Sequence, residues 1–260
     1  MLRVVTLVKY TPDPTGDVGF ADDGTVDRAA VDGQLSELDE YAAEQALRLA
    51  EEAGDAEVTY LTMGPSDAVG ALRKALAMGG DRGVHILDDA LHGSDVIATS
   101  RVLAAALSKL DYDIVLCGMA STDAGTGVIP ALLAERLGIP QLTYAQSLAL
   151  KDRTVRIERE TDVAVETVEA ELPAVVSVTD RSGDARYPSF KGIMAAKKKP
   201  VETWSLADLE VPGDEVGLGA ALSATVSATK RPPRQAGPKV VDEGEGGVAL
   251  ADFLAAQKFI

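Results

Sequence analysis

Gly118–Gly127, GMASTDAGTG, is the stretch of this 260-residue chain whose residue types best suit chemistry on a phosphate. Gly118, Gly125 and Gly127 let backbone amides come close to an anion, and Ser121 and Thr126 add hydroxyl donors. The stretch leads into TGVIPALLAERLG, an apolar pattern that predicts a helix, and a helix N-terminus favours negative charge. It follows directly on DIVLCG, a predicted strand, and open α/β sheets hold ligands beyond the carboxyl ends of their strands. An ordinary βα connection has a similar composition, so spacing alone leaves a binding loop and a plain connection both open. The G-x-G-x-x-G fingerprint is missing, which points to a mononucleotide or an adenylate group instead of Rossmann dinucleotide geometry.

The other reactive residue types are sparse. The two histidines, His85 in a strand-like run and His92 in a loop, show no metal-ligand spacing and read as satisfied or solvated side chains. Cys117 is the single cysteine; it has no histidine partner in view, forms no intrachain disulfide, and fits a reducing cytoplasm. G-x-S-x-G, H-E-x-x-H and P-loop patterns are absent. The expectation is a chain with no catalytic residue and no metal ligand of its own, whose chemistry belongs to a bound cofactor. Arg73, Lys74 and Arg82 in ALRKALAMGGDRGVHI suggest an anion contact, but an amphipathic helix, a Gly–Gly stop and the next strand account for them more simply.

A second stretch stands out by charge. The chain carries 25 Lys+Arg against 41 Asp+Glu, a net −16, yet RYPSFKGIMAAKKKP holds Arg186, Lys191, Lys197, Lys198 and Lys199 with no acid. It also offers Tyr187, Pro188, Phe190, Ile193 and Met194 without a clean helical or strand period. The overall acid excess argues against nucleic-acid binding, because a phosphate backbone repels a net-negative surface. Aromatics at 4% leave few stacking platforms. The basic stretch by itself also permits a phosphate or lipid patch. Acid excess with little lysine elsewhere suits a salt-loving source. No run approaches the ~20 apolar residues of a membrane span, and MLRVVTLVKY reads as a first strand, not a signal peptide.

The elements that must position these residues follow a strand–helix alternation up to about residue 140. LRVVTLV (2–8), EVTYLTM (57–63), GVHIL (83–87) and DIVLCG (113–118) are β-branched apolar runs of the kind found in buried parallel strands. Between them lie the helical patterns SELDEYAAEQALRLAEEAG, with Ser36 and Asp39 in capping-box spacing and a stop at Gly54, DAVGALRKALAMGG (67–80) and DVIATSRVLAAALSKL (95–110). The prediction is a doubly wound, mainly parallel α/β sheet. After residue 140, LTYAQSLAL, TVRIERETD, VAVETVEAEL and AVVSVTD read as strands, including an antiparallel extension on the same sheet. Residues 205–247 are rich in Gly, Pro, Asp, Glu and Ser and lead to a short helix, GVALADFLAAQKFI, an arm expected to lie on something else.

Several of these pieces are specific in combination: LVKYTPD, DEYAAEQALRL, LRKALAMGGDRGVHI, DIVLCGMASTD, ERETDVAVETVEAELPAVVSVTD and RYPSFKGIMAAKKKP. Over roughly residues 2–200 the chain resembles the β subunit of electron transfer flavoproteins. That resemblance implies a Rossmann-like core related to the adenine-nucleotide hydrolase superfamily over 1–185, a partner-recognition loop over 186–200, and a C-terminal arm over 201–260 packed on an α subunit. It implies a cytoplasmic heterodimer whose α subunit holds the redox FAD, with AMP or a second FAD in the β subunit. Electrons would come from acyl-CoA and other dehydrogenases and pass to a membrane quinone reductase, without insertion of this chain in the membrane.

The family's nucleotide contacts carry over to Leu7, to Ser36, Glu37, Leu38 and Asp39, to Met63, and to the loop Gly118, Met119, Ala120, Ser121, Thr122, Asp123, Ala124, Gly125, Thr126, Gly127, Val128 and Ile129. Gly118, Asp123 and Thr126 match best. The glutamine of both family subtypes is absent after Asp123, and the residues there are closer to the nitrogen-fixation-associated, electron-bifurcating group, so AMP and FAD both stay open. The signature after Asp162 expects glycines or acids where Val163 and Ala164 stand. In the recognition loop the aligned apolar anchor, leucine in many members, is Phe190. Of a different class is a stand-alone nucleotide-binding protein similar to the universal stress proteins, which explains the first 140 residues but leaves the basic loop and the tail idle.

Overall fold

A computed structural model describes residues 1–232, 236–237 and 239–260, which divide into two compact units, Met1–Ser227 and Ala228–Ile260. Four positions of the expected 201–260 arm, 233–235 and 238, lie outside the described residues. The first unit opens with β1 (Leu2–Leu7), followed by two short antiparallel ribbons, β2 (Tyr10–Pro12) with β5 (Gly33–Leu35) and β3 (Gly19–Phe20) with β4 (Val26–Asp27). Next come α1 (Glu37–Ala53), β6 (Ala56–Met63), α2 (Ala68–Met78), β7 (Arg82–Ile86), α3 (Val96–Leu107), β8 (Ile114–Gly118) and α4 (Ile129–Leu137). Then follow β9 (Gln141–Ala145), β10 (Ser147–Lys151), β11 (Thr154–Glu160), β12 (Val165–Glu171), β13 (Ala174–Val178), α5 (Phe190–Ala196), β14 (Val201–Trp204) and α6 (Gly217–Ala220).

Seven strands form one sheet in the order β14-β7-β6-β1-β8-β13-β9, every neighbouring pair parallel. Successive side chains of a strand point to opposite faces, so a strand covered on both sides must be apolar throughout. In β1, Val4 packs with the α1 and α2 residues Ala42, Ala46, Leu72 and Leu76, while Val5 packs with Val102, Leu107 and Leu133 of α3 and α4. β8 divides the same way, Ile114 and Leu116 to the first face, Val115 and Cys117 to the second. Two helical layers therefore sandwich the sheet, as a doubly wound fold requires.

The predicted strands and helices of the first half sit within a few residues of their observed bounds, and Gly54 ends α1 in the left-handed region at φ 70°. Four expectations are corrected. β10, β11 and β12 form their own three-stranded antiparallel sheet and do not extend the main one. Val155 and Ile157 are buried while Arg156 and Glu158 are exposed, the alternation of a sheet covered on one face. α4 starts at Ile129, three residues later than the pattern from Thr126 implied, because Gly127 takes φ 65° and stops the helix from extending backwards.

The capping box at the start of α1 does not form. Ser36 occupies the N-cap position, but its hydroxyl makes no capping bond, and the Asp39 carboxylate reaches across to accept from Lys9 N–H at 2.8 Å. Finally, the chain after Pro200 is not all arm. Val201–Trp204 is the edge strand β14, paired with β7, and Leu206, Leu209, Val211 and Val216 are buried in the core of the α3–α4 face. The division between the two units falls after Ser227. The second unit contains α7 (Gly246–Ala256), whose Val248, Leu250 and Phe253 are exposed.

Candidate functional site

The chain runs from β1 outward to β6 and β7, then returns to the other side of β1 with β8. That reversal is the switch point, and in open α/β sheets the ligand crevice lies there, here at the carboxyl ends of β1 and β8. Lys9 leaves the end of β1, Ser36–Asp39 start α1, and Gly118 ends β8. The three come together because Gly118 has no side chain: a Cβ there would lie 2.6 Å from Asp39 Oδ1 and 2.8 Å from the Leu38 carbonyl oxygen.

The loop after Gly118 is pinned by one carboxylate. Asp123 Oδ1 accepts from Lys9 Nζ at 2.9 Å, its Oδ2 accepts from Arg28, and Lys9 Nζ also reaches Ser121 Oγ at 3.3 Å. The Asp123 side chain is only 4% exposed, against 37% for each cation. Burial opposes its ionisation, yet Lys9, by charge and hydrogen bond, together with Arg28 and Ser121, holds its carboxyl well below the usual range. Asp39 goes the other way. Burial pushes its carboxyl up to about 7, against the hydrogen bonds from the Lys9 and Gly118 N–H groups and the charge of Lys9. Two cations facing Asp123 thus leave a local positive excess at the switch point of a chain with net charge −16 wherever the Asp39 carboxyl holds its proton.

Ser36 Oγ is fully buried at the N-terminus of the 17-residue helix α1 with no hydrogen-bond partner, and the Thr6 and Thr62 hydroxyls are buried without partners in β1 and β6. Unpaired buried hydroxyls are costly and call for a partner. Of the positions expected to contact a ligand, Ser36, Asp39, Gly118, Ser121 and Asp123 converge on the crevice. Leu7, Met63 and Ile129 belong to the apolar cluster on the α3–α4 face, and Glu37, Thr122, Ala124, Gly125, Thr126 and Val128 are exposed. Thr122 Oγ1 donates to Thr11 Oγ1 at 3.1 Å, a further tie from the loop to β2.

Sequence reasoning missed Lys9 and Arg28. Lys9 carried a signal, as the cation of LVKYTPD at a strand end; Arg28 carried none, lying in a polar stretch without period. His85 Nε2 lies 3.1 Å from the Gly64 carbonyl and His92 Nε2 lies 2.7 Å from Asp23 Oδ2, so both histidines are satisfied as expected. Burial pushes the Cys117 thiol pKa well up, which disfavours the thiolate a nucleophile would need. Among the described residues no group of three or more His, Cys, Asp or Glu could hold a metal, and no helix is long and apolar enough to cross a membrane.

The basic stretch is more ordered than its irregular pattern suggested. Phe190–Ala196 form the helix α5, capped by Ser189 Oγ, which accepts from Gly192 N–H at 3.0 Å. Gly192 is required there, since a Cβ would lie 2.3 Å from the Ala77 carbonyl oxygen of α2. Arg73 of α2 donates to the Ala196 and Lys199 carbonyls at 2.6 and 2.7 Å, and Lys199 Nζ donates back to the Leu76 and Gly79 carbonyls at 2.8 and 3.2 Å. Each helix C-terminus is thereby satisfied by a cation from the other segment. Arg186 is held by Glu44 at 2.7 Å and by Glu51 at 2.5 Å. Two of the five cations therefore face inward. Tyr187 and Phe190 stay 95% and 81% exposed, with Ile193, Met194, Lys197 and Lys198 also at the surface. A cleft of about 520 Å³ borders α5, lined in part by Lys74, Pro188, Ile193 and Lys197.

A parallel doubly wound sheet with polar groups gathered at its switch point defines an α/β chain of the doubly wound class. Within that class, residues 23–209 match the model of the electron transfer flavoprotein domain. The chain is 47% identical over 266 residues to the electron transfer flavoprotein subunit beta of Mycobacterium tuberculosis, covering all of both chains. It is 36% identical over 231 residues, 88% of each chain, to the protein of the same name from Clostridium acetobutylicum. It is also 37% identical over 262 residues, 97% of each chain, to the acryloyl-CoA reductase electron transfer subunit gamma of Anaerotignum propionicum. The chain belongs to the electron transfer flavoprotein family, as a β subunit.

Proposed function

We propose that this chain pairs with an α subunit, takes electrons from acyl-CoA and other dehydrogenases, and delivers them to a quinone reductase. FAD, held mainly by the α subunit, supplies the electron-carrying chemistry. The observation that carries the reading for this chain is the switch-point crevice, with its positive excess and the buried, unpaired Ser36 hydroxyl at a long helix N-terminus. An adenine nucleotide fits that donor set. Ser36 Oγ and the first turn of α1 would meet its polar groups, and the loop Gly118–Ile129 would lie along its phosphates, with Asp123 fixing the loop through Lys9 and Arg28. The nucleotide is AMP or the adenylate half of a second FAD. The exposed apolar residues of α7 suit an arm that packs on the α subunit.

Partner docking falls to α5. Phe190 is an aromatic anchor at the start of a short helix, and the exposed Lys197 and Lys198 at its other end steer acidic partners and fix orientation. Purifying the αβ pair and measuring FAD and AMP per heterodimer after denaturation tests the nucleotide reading. One FAD with one AMP, or two FAD, supports it; one FAD and no AMP sinks it. A colourless, stable monomer that ignores a co-expressed α subunit would sink the whole assignment.

A further inference from the structure

Residues 13–32 leave the fold between β2 and β5 and return to the same place, since Thr11 and Gln34, and Pro12 and Gly33, are paired. None of these twenty residues is buried, so the excursion contributes little to the core. Two of the ties that fasten it to the rest of the first unit reach side chains distant in sequence. Asp23 at the β3–β4 turn meets His92 Nε2 at 2.7 Å, and Arg28 meets Asp123 across the switch-point crevice, 95 positions away in sequence. A solvent-exposed segment that closes a loop over a crevice by one charged contact has the construction of a lid.

We infer that residues 13–32 form a lid over the crevice and that Arg28 is the lid's phosphate-contacting residue. The inference rests on the nucleotide reading above and extends it to residues that reading does not use. Asp123 engages one terminal nitrogen of Arg28. A guanidinium presents five N–H donors in a rigid fork matched to phosphate oxygens, so the carboxylate orients the group and leaves the rest of the fork for a ligand. Lys9 already satisfies Asp123 and Ser121 from the floor of the crevice. With Asp123 ionised, two cations beside it and the buried Asp39 carboxyl protonated, one positive charge is left over, which a bound phosphate would balance.

The test uses the αβ heterodimer, stripped of nucleotide and titrated with AMP and, separately, with FAD. Wild type, Arg28→Ala and Arg28→Lys are compared by calorimetry, and hydrogen exchange of residues 13–32 is followed with and without nucleotide. The expected result is a loss of affinity of tenfold or more for Arg28→Ala, a partial recovery for Arg28→Lys, and slowed exchange across 13–32 when nucleotide binds. Arg28→Ala affinity within twofold of wild type, with nucleotide still protecting residues 118–129, would overturn the role of Arg28 while leaving the nucleotide site standing. Exchange across 13–32 indifferent to nucleotide would overturn the lid. A wild-type pair that takes up neither AMP nor a second FAD removes the nucleotide reading and this inference together.

Discussion

The switch-point crevice and the α5 surface both collect positive charge in a chain of net −16, and they handle it in opposite ways. In the crevice the cations turn inward onto one buried carboxylate, Asp123, from residues 114 and 95 positions away. At α5 two cations, Arg186 and Lys199, serve as structural ties, and the remaining lysines stay in solvent beside exposed apolar side chains. On the proposed reading, the charge of a crevice built this way is what a bound nucleotide would match. A surface built this way is a rigid platform whose charge acts at a distance. A cluster of basic residues is thus defined by what its partners are, not by its count.

If the comparison holds, the largest effect belongs to the crevice. Asp123→Ala strands two cations at once and should cost about 3 kcal/mol of stability, nearer the lower end for a broken buried pair because Lys9 and Arg28 are over a third exposed. Chemical denaturation of the heterodimer reads this, and retained nucleotide would contradict the crevice assignment. Phe190→Ala should cost about 2 kcal/mol of docking free energy, roughly a thirtyfold rise in the concentration of dehydrogenase needed for half-maximal transfer. Its stability and flavin content should be unchanged. Equal transfer rates for the variant would show that α5 is not the docking surface.

Gly192→Ala sharpens the contrast from the other side. The new methyl meets the Ala77 carbonyl and must push α5 off α2, costing roughly 1–2 kcal/mol of stability and lowering transfer, while nucleotide content stays at the wild-type value. The effect confined to one pH range concerns Asp39. Its folded-state pKa lies near 7, above the ~3.9 of an unfolded aspartate, so the folded state holds the proton more tightly. The stability this gives is complete below about pH 4 and is lost as pH rises towards 7. Asp39→Asn keeps an acceptor for Lys9 N–H, gives up the one for Gly118 N–H and removes the titration, so its melting temperature relative to wild type should be higher at pH 8 than at pH 4. A gain independent of pH would mean that packing, not charge, sets the difference.

Much of this was legible in the residues. β1, β6, β7 and β8 are apolar, β-branched runs between amphipathic patterns, and their neighbours in the sheet cannot disguise that. The loop after β8 was visible as glycines and hydroxyls following a strand, and the basic stretch as charge contrast. What escaped depends on contacts distant in sequence. Arg28 gains meaning only when Asp123 is folded against it, and no local period records that. VETW falls within the expected arm because its strand character comes from pairing with β7, not from its own composition. Ser36 and Asp39 had the spacing of a capping box, but the exit of β1 brought Lys9 N–H to the Asp39 carboxylate instead.

The exchange between Arg73 and Lys199 carries a consequence for descent. The final carbonyls of α2 are met by Lys199, just past α5, and those at the end of α5 by Arg73 of α2, so neither segment can change its terminator alone. Positions 73 and 199 should therefore drift as a pair across related chains. A lineage that loses one cation should show, at the other position or beside it, a new way to end the helix.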